Sequence, residues 1–420
     1  MLRKLASRGF RSAIVQMSGQ IINVLLGIFI VKLLGPVEFG IYAFFFALLK
    51  IGMVVAEFGM PVLIIREIVR LREAKDWARI KGFIIQAVLT IIVISGVLSG
   101  SGFLYLLLSD AVTLSLAQRT MIVMLTTLPA IALMRLVCSA LRSTERMVTG
   151  LFLELLMLPL LVIVGALIWT NLTDDINPVV VMTLQLIAII AVGTAGWVIL
   201  YQSLPSEIWK TRAQLVGAPW LKSGMAFLLA GGASLLNTQI DVVILGLFRD
   251  PAEVGIYRAA AQAAFLAFFL AQVMYVVTIP KMASSIERDE PNELHSEFTK
   301  ARWIGTAGAA LVSLIYLAFG HSILRIVFGS EFVAGWLVLI ILCVGAVLKT
   351  AAGPLEALLS MGKQERKMSQ VLWLTVAMNI ILNIALIPFF GVAGAASSTA
   401  LTALLIPLLL TPVARRTKLL

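Results

Sequence analysis

Apolar stretches of about 20 residues recur along the chain, each closed by a glycine, a proline or a cluster of charge. They lie at about 12–34, 41–63, 83–106, 118–140, 148–170, 178–200, 224–247, 255–279, 303–320, 332–353, 368–388 and 392–412. About 20 apolar residues in a helix cross a hydrocarbon core of about 30 Å. The pattern predicts an all-α integral membrane protein with twelve transmembrane helices and short polar connections. The basic start, Met1 to Arg11, runs into an apolar stretch ending at Leu34 with no small-residue cleavage site. It reads as a retained first helix and not as a signal peptide.

Composition agrees, with 60% of residues hydrophobic and 13% charged, against about 25% charged in soluble domains. The net charge of +11 raises the question of a nucleic-acid partner. Position answers it. With the N-terminus in the cytoplasm, 25 of the 33 basic residues fall in inner segments, and only Arg249 and Arg325 fall in outer ones. That asymmetry predicts both termini inside, and no nucleic acid is needed. The outer turns carry Glu38, Asp110, Asp174, Asp175, Asp250, Glu253 and Glu331 instead. The inner loop Arg66–Gly82 reads either as an amphipathic helix at the headgroups or as a plain charged connector.

Catalytic signatures are missing. The short outer loops leave no room for a glycan-assembling domain, and the inner loops hold no phosphate-binding loop, D-x-D pair or H-E-x-x-H helix. His295 and His321 fall on opposite sides, and Cys138 and Cys343 lie in apolar runs without metal-ligand spacing. The expectation is a transporter with no cofactor or metal and no enzymatic site.

A duplication organises the chain. VEFGIY at 37–42 returns as AEVGIY at 252–257, so Glu38, Gly40 and Tyr42 match Glu253, Gly255 and Tyr257. Asn23 matches Asn237 at nearly the same offset, and ALRSTERM from Ala140 echoes ALLSMGKQ from Ala357. Two parallel six-helix repeats follow, with a binding site expected near the midplane in a central cavity. The expected boundaries are an N-terminal bundle over 1–203, a cytoplasmic linker over 204–223 and a C-terminal bundle over 224–420.

Ionisable residues stand inside the spans, where each costs at least about 2.5 kcal/mol at a helix centre: Lys50, Glu57, Arg135, Glu154, Asp241, Arg258 and Lys349, with Glu356 near an inner end. Ala43, Lys50 and Glu57 are spaced by sevens and share a helix face. Arg258, Phe265 and Gln272 repeat that spacing in the second half. Lys50, Arg258, Arg135, Lys349, Glu57 and Gln272 are therefore candidate cavity residues, a cation-rich set suited to a phosphate-bearing substrate. The alternative pairs Lys50 with Glu57 and Lys349 with Glu356 as structural bridges. Asp241 or Glu57 is the candidate for coupling to a proton or a sodium ion.

LGPVEFGIYAFFFALLKIGMVVAEFG at 34–59 resembles the LG-x-x-x-FG-x-Y turn and second helix of the polysaccharide transporter family. GKQERKMSQVLWLTVAMNIILNIALIPFFGVAGAASSTA at 362–400 resembles that family's closing hairpin. Ser398-Thr399 stands where the family often has Ala-Thr. The resemblance is to lipid-linked oligosaccharide flippases of the O-antigen and capsule kind, in the multidrug/oligosaccharidyl-lipid/polysaccharide (MOP) superfamily. It implies a MATE-like fold in a bacterial or archaeal cytoplasmic (inner) membrane. It also implies translocation of an undecaprenyl-pyrophosphate-linked oligosaccharide from the inner to the outer leaflet by alternating access. The implied partners are that lipid-linked oligosaccharide, membrane lipids and the glycan polymerase machinery. By helix position and face, the family's intramembrane cations carry over to Lys50 and Arg258. A cation-coupled small-molecule or multidrug exporter of the same superfamily is the alternative.

Overall fold

The computed structural model describes residues 2–108, 113–144, 146–173 and 175–416. Asp110 and Asp174 therefore lie outside the described residues, as do the side chains of Arg3, Lys4 and Arg8. Among the described residues there is no strand. The helices are α1 (Leu2–Glu57), α2 (Met60–Glu73), α3 (Trp77–Leu108), α4 (Leu116–Arg142), α5 (Met147–Phe152), α6 (Leu158–Leu172), α7 (Pro178–Ser203), α8 (Ser206–Lys210), α9 (Ala218–Asn237) and α10 (Ile240–Phe248). They continue with α11 (Pro251–Glu287), α12 (Pro291–Val327), α13 (Trp336–Thr350), α14 (Leu355–Met361) and α15 (Glu365–Arg416). A π-helical turn, Leu153–Met157, joins α5 to α6, and a 3-10 turn, Ser330–Gly335, leads into α13.

Among the described residues, nine helical stretches are long and apolar enough to cross a membrane, ten with the bent pair α9–α10. Two of these, Arg11–Glu73 and Glu365–Arg416, are double. Gly35 (φ 68°) breaks α1 and Gly391 (φ 55°) breaks α15, positions where a side chain would be strained. Twelve crossings result, as the apolar pattern predicts, in a multi-pass membrane protein. Leu107, Leu172, Ile326 and Phe389 stand exposed on helix surfaces, as apolar helices facing lipid require. The seventh apolar segment differs from expectation. It is not one rod over 224–247 but two helices bent by 52°, broken at Thr238-Gln239, where polar side chains replace the apolar run.

The chain forms two compact units, one of Met1–Leu33 with Phe45–Leu235 and one of Leu34–Phe44 with Leu236–Leu420. In the second unit the two copies of the repeated turn meet. A Cβ on Gly40 would overlap the carbonyl of Pro251, and one on Gly255 would overlap the carbonyl of Pro36. Residue i of one copy touches j of the other and j touches i, the reciprocity of a local twofold axis. That is why both copies place glycine there.

In the first unit the stretch before α9 is fastened along α2 and α3. Lys81 Nζ donates to the carbonyls of Trp209 (3.1 Å) and Thr211 (3.0 Å). Gln86 Nε2 donates to Gly217 O (2.9 Å) while Gly217 N donates back to Gln86 Oε1 (3.0 Å). Gln214 N donates to Ala78 O (3.0 Å), a close approach that only Gly82 beneath it permits. Trp220 closes the strap, with its ring edge-on to Phe83 at 4.8 Å and Nε1 donating to buried Glu67 (3.3 Å). The segment between apolar runs is thus an ordered strap and not a loose connection. Helix α2 buries Met60, Leu63, Ile64, Ile68 and Leu71 on one side and exposes Arg66, Arg70 and Arg72 on the other. Of the stretch 66–82, the part up to Glu73 forms an amphipathic helix, and after a break at 74–76 the rest belongs to α3.

Candidate functional site

In the first unit, buried Glu57 and half-buried Arg135, Arg142 and Glu154 converge from three segments. Helix α1 ends at Glu57, where Phe58 (φ 48°) and Gly59 (φ 70°) turn the chain. Glu57 Oε1 lies 2.6 Å from Arg135 Nε of α4, and Arg135 Nη1 lies 3.6 Å from Glu154 Oε1 in the π-helical turn. Arg142, about two turns beyond Arg135, reaches Glu154 Oε2 at 3.1 Å and Ser139 Oγ at 2.6 Å. Two carboxylates and two guanidiniums therefore neutralise one another. The Glu57–Arg135 approach is close but not aligned as a hydrogen bond, so its attraction is chiefly that of opposite charges. Lys50, half-buried two turns before Glu57, holds its ammonium 5.1 Å from the Phe46 ring centroid. The bridge weighed for Glu57 is thus built with Arg135.

In the second unit Asp241 is buried in the first turn of α10. Tyr257 OH donates to Asp241 Oδ2, Thr399 Oγ1 donates to the same oxygen (3.3 Å), and Val242 N donates to Oδ1 (2.8 Å). Around the α9–α10 break, Asn237 Nδ2 donates to Thr375 Oγ1 (3.3 Å) and Asn379 Nδ2 to Thr402 Oγ1 (3.1 Å). Asn383 Nδ2 donates to Asn379 Oδ1 (2.9 Å). Three buried amide oxygens, Asn237 Oδ1, Gln239 Oε1 and Asn383 Oδ1, have no protein donor. The Asp241 carboxylate, with two hydroxyl oxygens against it and Arg258 attracting it from farther off, has the chemistry to take a proton or one monovalent cation. Among the described residues no three His, Cys, Asp or Glu side chains are grouped to hold a metal. Arg258 and Gln272 are half-buried on α11. Lys349 Nζ lies 3.5 Å from Glu356 Oε1 and 5.2 Å from the Phe268 ring centroid, so the Lys349–Glu356 pair weighed from the sequence is present.

Several members of these clusters escape sequence reasoning. Arg142 carries no intramembrane signal because it sits at a helix end. Tyr257, matched to Tyr42 as part of the repeat, gives no sign of its acidic partner. Asn379 and Asn383 had one signal, amides four apart in an apolar run.

A helical membrane transporter fold with an ion network in one unit and a carboxylate-centred polar cluster in the other is the class these features define. Comparison with known proteins supplies the family. Residues 7–286 match the family described as polysaccharide biosynthesis protein, and the chain belongs to that family. Among relatives, the probable low-salt glycan biosynthesis flippase Agl15 of Haloferax volcanii is 28% identical over 165 residues, which are 39% of this chain and 34% of the relative. The probable flippase AglR of the same organism is 28% identical over 172 residues, 39% of this chain and 35% of the relative. The matches thus span about a third of the length of these curated relatives. The lipid II flippase MurJ in an inward closed conformation superposes with a TM-score of 0.76 at 15% identity, over 96% of this chain and 87% of that one. An inward-facing MATE family transporter of the MOP superfamily gives 0.74 at 14% identity, over 97% and 98%. The fold is that of these MOP transporters.

Proposed function

We propose that the protein is a flippase carrying a polyprenyl-pyrophosphate-linked oligosaccharide, of the undecaprenyl type used for O-antigen, capsule or exopolysaccharide units, from the inner to the outer leaflet by alternating access. The carrying observation is the pair of cations set into apolar helices, Lys50 and Arg258. Arg and Lys are the side chains that pair with pyrophosphate and acidic sugars, and an intramembrane cation is retained where it serves a pathway. The family and the glycan flippases among the relatives support the same cargo class. Arg135 and Glu57 serve by holding the first unit's helices in register, since their charges satisfy one another. Gln272 adds neutral hydrogen-bonding capacity to the cargo-facing set.

Asp241 is the proposed coupling residue, taking up a proton or a sodium ion. It is preferred over Glu57 because Glu57 has a guanidinium at 2.6 Å, whereas Asp241 accepts from the hydroxyls of Tyr257 and Thr399 and from Val242 N, with Arg258 attracting it only from beyond ion-pair distance. The proposed setting is a bacterial or archaeal cytoplasmic membrane with both termini inside, residues 1–203 and 224–420 as the two repeats, and the polymerase machinery as downstream partner. Deletion of the gene followed by a leaflet assay of lipid-linked glycans tests the reading. Accumulation of single repeat units on the inner leaflet is expected. Unchanged surface glycan with altered drug tolerance would favour the second reading, an exporter of small molecules, which the likeness to MATE transporters supports.

A further inference from the structure

We infer that the face of α11 running from Arg258 to Gln272 reads the sugar rings of the cargo, with Phe265 and Phe269 as stacking platforms and Gln262 and Gln272 as hydroxyl partners. The inference rests on the glycolipid reading above and assigns a part of the cargo to one helix.

Helix α11 has three distinct faces at 100° per residue. Ala260, Ala263, Ala264, Ala267 and Ala271 pack into the second unit and are buried. Leu266, Leu270 and Val277 are exposed and wholly apolar, as a lipid-facing stripe should be. Opposite the alanines lie Arg258, Gln262, Phe265, Phe269 and Gln272, spaced four, three, four and three apart. Phe265 is 38% exposed, more than an anchoring core ring would be, and its centroid lies 6.5 Å from that of Phe269. Arg258 to Gln272 spans about 21 Å at about 1.5 Å per residue, most of a hydrocarbon core of about 30 Å. The Gln272 amide, near the middle of such a depth, cannot reach either headgroup layer and needs water or a polar ligand there.

The chemistry of that face selects the occupant. A pyranose ring offers a face of C–H bonds, which stacks on an aromatic ring, and a rim of hydroxyls, which side-chain amides both donate to and accept from. Arg258 stands at one end of the face and suits a pyrophosphate or a sugar carboxylate, while Lys349, paired with Glu356 at 3.5 Å, lies over the Phe268 ring at 5.2 Å. Between Glu253 and Glu287 the helix itself carries no acidic residue.

The test uses the full-length protein in lipid nanodiscs and two probes, farnesyl pyrophosphate and its N-acetylglucosaminyl ester, with affinity measured by titration. Wild type is expected to bind the glycosylated probe more tightly by roughly tenfold. The Phe265→Ala/Phe269→Ala protein should lose that preference and keep its affinity for farnesyl pyrophosphate, while Phe265→Tyr/Phe269→Tyr should retain both. Preference surviving in the alanine protein, or equal binding of both probes by wild type, overturns the inference and leaves the flippase reading standing. So does equal loss of both probes by an alanine protein that still melts and elutes like wild type. Binding of neither probe by wild type removes the glycolipid reading and this inference together.

Discussion

Replacing Arg135 by Gln is the sharpest perturbation of the first unit. The change removes the charge 2.6 Å from Glu57 and 3.6 Å from Glu154. Glu154 keeps Arg142 at 3.1 Å, so the loss falls on Glu57, whose side chain is only 10% exposed. Stripping one member of a buried ion pair costs about 3–5 kcal/mol, because the other charge stays desolvated and uncompensated. Arg135 is itself 27% exposed, and Lys50 also attracts Glu57. Both place the expected cost at the lower end, about 3 kcal/mol. Neutralising both partners, as in Glu57→Gln/Arg135→Gln, should restore most of it, since a buried pair replaced as a whole is often close to neutral. The assay is a double-mutant cycle on detergent-solubilised protein, read as thermal unfolding. The single variant should melt several degrees lower and the double variant near wild type. If the two single losses add in the double variant, the pair is not coupled and the network does not brace α1 against α4.

Gly40→Val and Gly255→Val should each prevent accumulation of folded protein, because each side chain would overlap a carbonyl of the other turn. Gly96→Ala and Gly100→Ala, where an added Cβ meets nothing within 4 Å, should be neutral or stabilising by up to about 1 kcal/mol; size-exclusion profiles compare the four. Asp241→Asn should abolish the dependence of transport on an imposed sodium or proton gradient, and Tyr257→Phe should shift it, since Tyr257 donates to that carboxylate. Retained gradient dependence in Asp241→Asn would remove Asp241 from the coupling role. Lys81→Ala with Gln86→Ala removes four strap hydrogen bonds, worth about 1 kcal/mol each. Hydrogen exchange over 209–217 should then accelerate by at least about tenfold, with the spans unaffected.

The twelve crossings were legible because lipid leaves a helix no alternative to a long apolar run. Repeated glycines at 40 and 255 announced the duplication before their reciprocal contact was visible. The candidate charges were legible one by one, since each stands out against apolar neighbours. Their pairing was not. Arg135 and Glu154 approach across a π-helical turn in the segment Leu153–Met157, and LELLM holds no glycine or proline to announce the change of helical register. Asp241 finds Thr399 158 positions away, a separation over which helix periodicity carries no information. The strap was hidden for a similar reason, because Lys81 and Gln86 bond mainly to backbone carbonyls, and backbone carbonyls look alike in every sequence. Glu67 shows the limit most simply. It reads as one more charge in a basic loop, yet it is buried against Trp220 and Arg70.

Transport itself is measured most directly in proteoliposomes that hold the purified protein and a lipid-linked oligosaccharide labelled for lectin capture, with the glycan trapped at first in the inner leaflet. Wild type should bring the glycan to lectin outside the vesicle in the presence of a cation gradient, and Lys50→Ala and Arg258→Ala should fail to do so while reconstituting normally. Glycan that stays inside with wild type, or reaches the lectin equally fast with both cation variants, would contradict a flippase driven by intramembrane cations.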